Sequence, residues 1–141
     1  MKKYIGVWVD HEKAFVASII KDEEMKKETI IRIESKVEGR VRLSGGSRYA
    51  TPYGPQDVVY EKSIEERRKH HLRQYHQRIV QAIRDGQKIF IFGPGEAKLE
   101  LEKEIRKSKE LAGKLVGVEA ADKMTERQIA AKVRRYFFPD L

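Results

Sequence analysis

Three arginines surround a glycine pair in Arg40-Val41-Arg42-Leu43-Ser44-Gly45-Gly46-Ser47-Arg48-Tyr49. Adjacent glycines permit backbone conformations closed to other residues and let the chain approach a ligand closely. Arg40, Arg42 and Arg48 offer forked guanidinium groups to phosphates, and Tyr49 or Tyr53 offers a ring on which a base can stack. The same glycines also suit a loop in which they serve only turns. Downstream, Arg67-Arg68-Lys69-His70-His71-Leu72-Arg73 and Arg78 concentrate positive charge in one segment. On a helix these cannot all share a face, since neighbours stand about 100° apart. They do avoid Leu72, Tyr75 and Ile79, and so cover much of the side turned to solvent. A merely solvated face would intersperse Glu at i,i+4 spacing, whereas Glu65 and Glu66 sit only where they suit a helix dipole. Contact with a phosphate backbone through Arg67, Arg68, Lys69, Arg73 and Arg78 is the expectation.

Other chemistries find weaker footing. Gly93-Pro94-Gly95-Glu96-Ala97-Lys98 can expose free amides to an anion at a helix start. It lacks the spacing of a nucleotide-binding phosphate loop, and no Lys-Ser or Lys-Thr follows, so a tight strand-to-helix turn is expected. Asp10, Glu12, Asp57, Glu61 and Asp122 invite comparison with ribonuclease H enzymes, which gather carboxylates around two metals. No spacing compels them to converge, and Asp10 suits a turn. His11, His70, His71 and His76 lack zinc spacing, and there is no cysteine to assist. No cofactor and no metal is expected.

The elements that must position these residues follow from composition and periodicity. The chain has 141 residues, 37% charged and 40% hydrophobic, which suits one domain with a core of its own. Without cysteine it has neither a disulfide framework nor a thiol nucleophile. The apolar run at the start breaks too early for a secretory signal, and no stretch approaches the ~20 residues of a membrane span. A cytoplasmic protein is therefore expected. Thirty Lys and Arg against 22 Asp and Glu leave a net charge of +8, which favours polyanions. A solubilising Lys- and Glu-rich surface would give the same total.

Alternating apolar residues predict strands over 4–10, 14–20 and 29–37, an antiparallel meander. From 38 to 60 no period holds, and glycines and prolines punctuate the segment; a loop this long is usually functional or disordered. Ser63-Ile64-Glu65-Glu66 has capping-box spacing, predicting a helix from there to Asp85 with Leu72, Tyr75, Ile79 and Ile83 as its buried stripe. A buried strand over 88–92 leads to a helix carrying Ala97, Leu101, Ile105 and Ala112 and ending at Gly113. A strand over 115–118 follows. Thr125-Glu126-Arg127-Gln128 is another capping box, with Met124 and Ile129 spaced as a hydrophobic staple. The last helix buries Ile129, Val133 and Phe137, and the Phe137-Phe138 end could pack against a neighbour. A meander followed by two right-handed crossovers predicts a mixed five-stranded sheet, order 3-2-1-4-5 with strand 2 antiparallel, helices on both faces: a ribonuclease-H-like α/β fold.

In this order the pieces resemble a known family. The chain resembles the middle domain of archaeal and eukaryotic class-1 peptide release factors and their ribosome-rescue relatives. It looks closer still to stand-alone bacterial proteins of that type, often labelled translational machinery proteins. The marks are Val7-Trp8-Val9-Asp10-His11 with Lys13-Ala14, then Ser44-Gly45-Gly46, then Glu66-Arg67-Arg68 with Leu72 and Tyr75. Phe92-Gly93-Pro94-Gly95-Glu96-Ala97-Lys98 and Ala121-Asp122-Lys123-Met124-Thr125 with Gln128-Ile129 complete the set. The resemblance implies the ribonuclease-H-like fold without nuclease activity, and the ribosome, rRNA or tRNA as partner. In the family a Gly-Gly-Gln tip promotes hydrolysis of peptidyl-tRNA. Gly45 and Gly46 match it, but Ser47 stands in place of Gln, and a Ser hydroxyl cannot place a water at the reach of the longer amide. The expectation is an RNA- or ribosome-binding accessory factor in termination or rescue. A ribosome-dependent peptidyl-tRNA hydrolase acting through Gly45, Gly46 and Ser47 is the alternative, and a metal nuclease a more distant one. The separate codon-reading and partner-binding domains of release factors have no counterpart here, so stop-codon decoding by this chain alone is not expected.

Overall fold

A computed structural model describes residues 2–35 and 54–140, with side chains from 63 onward in the second stretch. The elements are β1 (Lys2–Val9), β2 (Lys13–Lys21), β3 (Lys26–Glu34), α1 (Gly54–Ile83), β4 (Lys88–Gly93), α2 (Ala97–Arg106), α3 (Lys109–Ala112), β5 (Leu115–Ala120) and α4 (Glu126–Phe137). The five strands form one sheet in the order β3-β2-β1-β4-β5. β2 runs antiparallel to both β1 and β3, while β4 and β5 add in parallel. This is the ribonuclease-H-like arrangement predicted from the order of elements.

The sheet is buried on both sides because its central strands are apolar on both faces. Ile5, Val7 and Val9 of β1 and Ile89 and Ile91 of β4 pack beneath α1, α2 and α3. Trp8, Phe15, Phe90 and Phe92 pack on the other side with Ile129 and Val133 of α4. Gly6 lets α4 settle: a Cβ there would stand 2.2 Å from a Val133 methyl. The aromatic end folds back on its own sheet, Phe137 and Phe138 lying 5.3 and 5.0 Å from the Tyr4 ring.

Two helix boundaries differ from the sequence reading. α1 begins at Gly54, so Ser63 is an interior residue and its box with Glu66 caps nothing. Pro55 sits in the first turn, where its missing N–H would have no partner anyway, and no breaker interrupts the chain from there to Ile83. Positions 54–60, read as loop, are therefore helical. Beyond Ile105 the single helix expected is split. The Ser108 hydroxyl accepts from the Leu111 amide at 3.3 Å and starts α3 afresh, which turns Leu111 rather than Ala112 into the core. The α4 start is as read: Thr125 accepts from the Gln128 amide at 3.2 Å, and the Gln128 side chain accepts from the Thr125 amide at 2.9 Å. Among the described residues no helix is long and apolar enough to cross a membrane.

Candidate nucleic-acid interface

The buried stripe of α1 decides which of its cations can act together. Tyr75, Ile79 and Ile83 are fully buried against the sheet. The Tyr75 hydroxyl donates to the Asp10 carbonyl at 2.9 Å, and burial, with the Asp10 charge, pushes that phenol far above its ordinary range. Rotation about the helix axis is thus fixed, and Lys69, Leu72, Arg73 and His76 fall on one flank at steps of three and four.

That flank faces α2 across a groove of about 460 Å³. From the α2 side Glu100, Lys103, Glu104 and Lys107 complete the lining. The two carboxylates are already engaged, Glu100 with the His11 ring at 3.0 Å and Glu104 with Lys107 at 3.0 Å. Lys69, Arg73 and Lys103 are exposed and form no ion pair among the described residues. His76 lies at the groove wall, only 6% exposed, and burial lowers its pKa. It adds no charge at neutral pH. The groove continues into a second one of about 750 Å³, where Arg78 and Arg84 stand opposite Lys107 and Ser108.

Of the residues singled out in the sequence, Arg67, Arg68 and Lys69 are exposed on α1 as expected. Arg78 is exposed too, but its guanidinium donates to the Glu34 carbonyl at 2.7 Å and so ties α1 to the end of β3. His71 turns inward enough to bury its Nδ1, which has no hydrogen-bond partner among the described residues. Arg40, Arg42, Gly45, Gly46, Ser47 and Arg48 lie outside the described residues. Lys103 and Lys107 were missed. Lys103 lies in α2 and Lys107 caps its C-terminus, and in sequence they reveal nothing of the helix they face.

Of the other candidates, Asp10 and Gly93 have structural roles, and the side chains of Asp57 and Glu61 lie outside the described residues. Asp10 closes a turn, one carboxylate oxygen accepting from the Glu12 and Lys13 amides at 2.8 Å each. Among the described residues no three His, Cys, Asp or Glu side chains gather as metal ligands would. Gly93 marks close strand contact rather than an anion loop. Its φ is +152°, and a Cβ would lie 2.3 Å from the Val9 carbonyl oxygen.

No protein-family model matches the chain, and no curated protein matches it. Solved structures do. The Pelota protein of Thermoplasma acidophilum is similar at a TM-score of 0.52 and 16% identity, over 96% of this chain and 32% of Pelota. An archaeal translation termination factor, aRF1, gives a TM-score of 0.48 at 13% identity, over 96% of this chain and 39% of its own. The Ppx/GppA phosphatase of Aquifex aeolicus gives 0.39 at 12% identity, over 99% of this chain and 42% of its own. The chain thus spans well under half the length of each. Pelota, the one of these above 0.5, shares the fold.

Proposed function

We propose that the chain binds structured RNA along the groove between α1 and α2 and serves as an accessory factor in translation, with ribosomal RNA or tRNA as its partner in the cytoplasm. One observation carries the reading: Lys69, Arg73 and Lys103 line a single groove from two helices and form no ion pair among the described residues, while Glu100 and Glu104 in the same lining are engaged with His11 and Lys107. Cations so placed gain by displacing the counterions condensed on a phosphate backbone. Two helices with cations on facing flanks can hold successive phosphates in register, which one solvated helix cannot. Arg67 and Arg68 extend the patch toward the start of α1. Arg40, Arg42 and Arg48, with Gly45, Gly46 and Ser47, are proposed to add a second contact. The translational setting is supported by the sequence resemblance to release-factor middle domains, and the fold shared with Pelota agrees with it. Co-sedimentation with ribosomes, and retention on isolated ribosomal RNA, across a salt series test the proposal. Retention that falls steeply with salt is the expected result. Protein left in the supernatant at low salt would overturn it.

A further inference from the structure

β3 closes one edge of the sheet and, at nine residues, is as long as β2. The Ser35 amide donates to the Glu12 carbonyl at 2.9 Å and the Asp22 amide to the Met25 carbonyl at 3.0 Å, at the two ends of an unbroken register. Bonding toward β2 therefore falls on the odd-numbered residues of this strand, since inward and outward positions alternate. Lys26, Glu28, Ile30, Arg32 and Glu34 turn their backbone N–H and C=O groups away from the sheet. The side chains of these five stand on the α4 face, where Arg134 holds Glu28 at 2.8 and 2.9 Å and Ile30 joins the core.

A second strand can add there only if its own outward residues meet these. For an antiparallel copy of β3 the facing residues must both be even-numbered, and few registers qualify. With the axis at Ile30, Lys26 faces Glu34, Glu28 faces Arg32, and Ile30 faces itself. An axis at Glu28 or at Arg32 sets that residue against its own copy. An axis at Thr29 sets Lys26 against Arg32, and one at Ile31 sets Glu28 against Glu34. Directly opposed like charges destabilise a ladder and unlike ones stabilise it. Of these five registers only the one centred on Ile30 pairs unlike charges throughout.

From this we infer that β3 is a self-recognition edge: two copies of this chain join β3 to β3 about a two-fold axis at Ile30, making one continuous sheet. Charges on an edge strand ordinarily deter pairing. Here, among the registers that overlap along most of the strand, their order favours a copy centred on Ile30. The existing pairs, Lys26 with Glu28 at 3.2 Å and Arg32 with Glu34 at 2.9 Å, become the sides of two alternating quartets flanking Ile30. On the other face Ile31, 49% exposed, comes to lie opposite Thr29 of the second copy. Arg78 already donates to the Glu34 carbonyl, whose second lone pair remains for the outermost rung.

Sedimentation equilibrium on the full chain over a concentration series tests this. The mass should rise from 16.4 kDa toward twice that value. Lys26→Glu and Glu34→Lys each set like charges opposite one another twice, so each alone should stay monomeric. Mixed in equal amounts they should form a heterodimer, since each then meets the opposite charge, and the recovery shows that both are folded. Arg32→Pro deletes an outward amide, which edge strands tolerate, together with the exposed Arg32–Glu34 pair, and should abolish the dimer while leaving the chain folded by thermal melt. A wild-type mass of 16.4 kDa at every concentration, a dimer that survives Arg32→Pro, or failure of the two charge variants to pair would each overturn the inference.

Discussion

Consider a variant carrying Lys69→Gln, Arg73→Gln and Lys103→Gln. All three side chains are exposed and without ion pairs among the described residues, so the change leaves the core and the salt-bridge network untouched. Removing one cation from a phosphate should lower the slope of log affinity against log salt by about 0.9 for duplex RNA, and removing all three by about 2.7. Between about 50 and 200 mM salt the gap between the two proteins then narrows by about 1.6 decades, roughly 40-fold. The matching control is Lys123→Gln, Arg127→Gln and Arg135→Gln. These residues are exposed on the α4 side of the sheet, and either triple variant lowers the net charge from +8 to +5. Screening over about 8 Å at physiological salt confines the effect of a charge to its own face. Filter binding with ribosomal RNA across the salt series reads both slopes. A slope unchanged in the groove variant, or lowered equally in the control, refutes the assignment of the groove.

Four further outcomes can be measured. Gly93→Ala forces a side chain onto a φ of +152° with its Cβ 2.3 Å from the Val9 carbonyl oxygen, so it should cost at least about 1–3 kcal/mol by urea denaturation; a wild-type midpoint would count against the packing described. Thr125→Ala removes the hydroxyl half of the α4 capping box and should cost about 1 kcal/mol in the same assay, with no change in RNA affinity. Hydrogen bonding from Arg134, outweighing its desolvation, holds the Glu28 carboxyl down at about 2 from an ordinary 4.5; that contribution is complete above pH 4.5 and lost as pH falls toward 2, because the unfolded chain takes up the proton first. Solvent screening keeps it to about 1 kcal/mol or less, and Arg134→Gln should flatten stability across that pH window. RNA–DNA hybrids with Mg²⁺ or Mn²⁺ should stay intact, since Asp10 is occupied as a turn residue; cleavage that Asp10→Asn abolishes would reverse that assignment.

What could be read from the sequence was whatever depends on near neighbours. The capping box at Thr125 was legible because its donors and acceptors lie within four residues, and the strand order followed from the succession of elements. The box at Ser63 failed for the same reason that the other succeeded: the motif reports only local compatibility. At Thr125 extended backbone precedes the helix, whereas at Ser63 nothing upstream breaks it, so helix propagation from Pro55 overrides the cap. Leu111 displaced Ala112 because a Ser108 cap restarts the helical phase, a shift that periodicity cannot anticipate. The groove was half legible. Lys69 and Arg73 could be placed on an exposed face of one helix, but the facing of α1 and α2 is set by packing on a shared sheet.

That packing also explains why the basic flank is presented at all. α1 has thirty residues and is held at points far apart along the chain. Tyr75 bonds the carbonyl at the end of β1, and Arg78 bonds the carbonyl at the end of β3. The two anchors lie three residues apart on the helix, so together with Ile79 and Ile83 they leave it no freedom to roll. α2 is fixed in turn by Leu101 and Ile105, which share the α1 side of the core. With both helices fixed in rotation, the backbone positions of Arg73 and Lys103 are set by the sheet. Two cations carried on helices already in place release counterions without first paying for the ordering of two helices, and they suit a partner whose charges repeat at a regular spacing. A folded nucleic acid backbone has that spacing, while a flexible acidic peptide would have to adopt it at an entropic cost of its own.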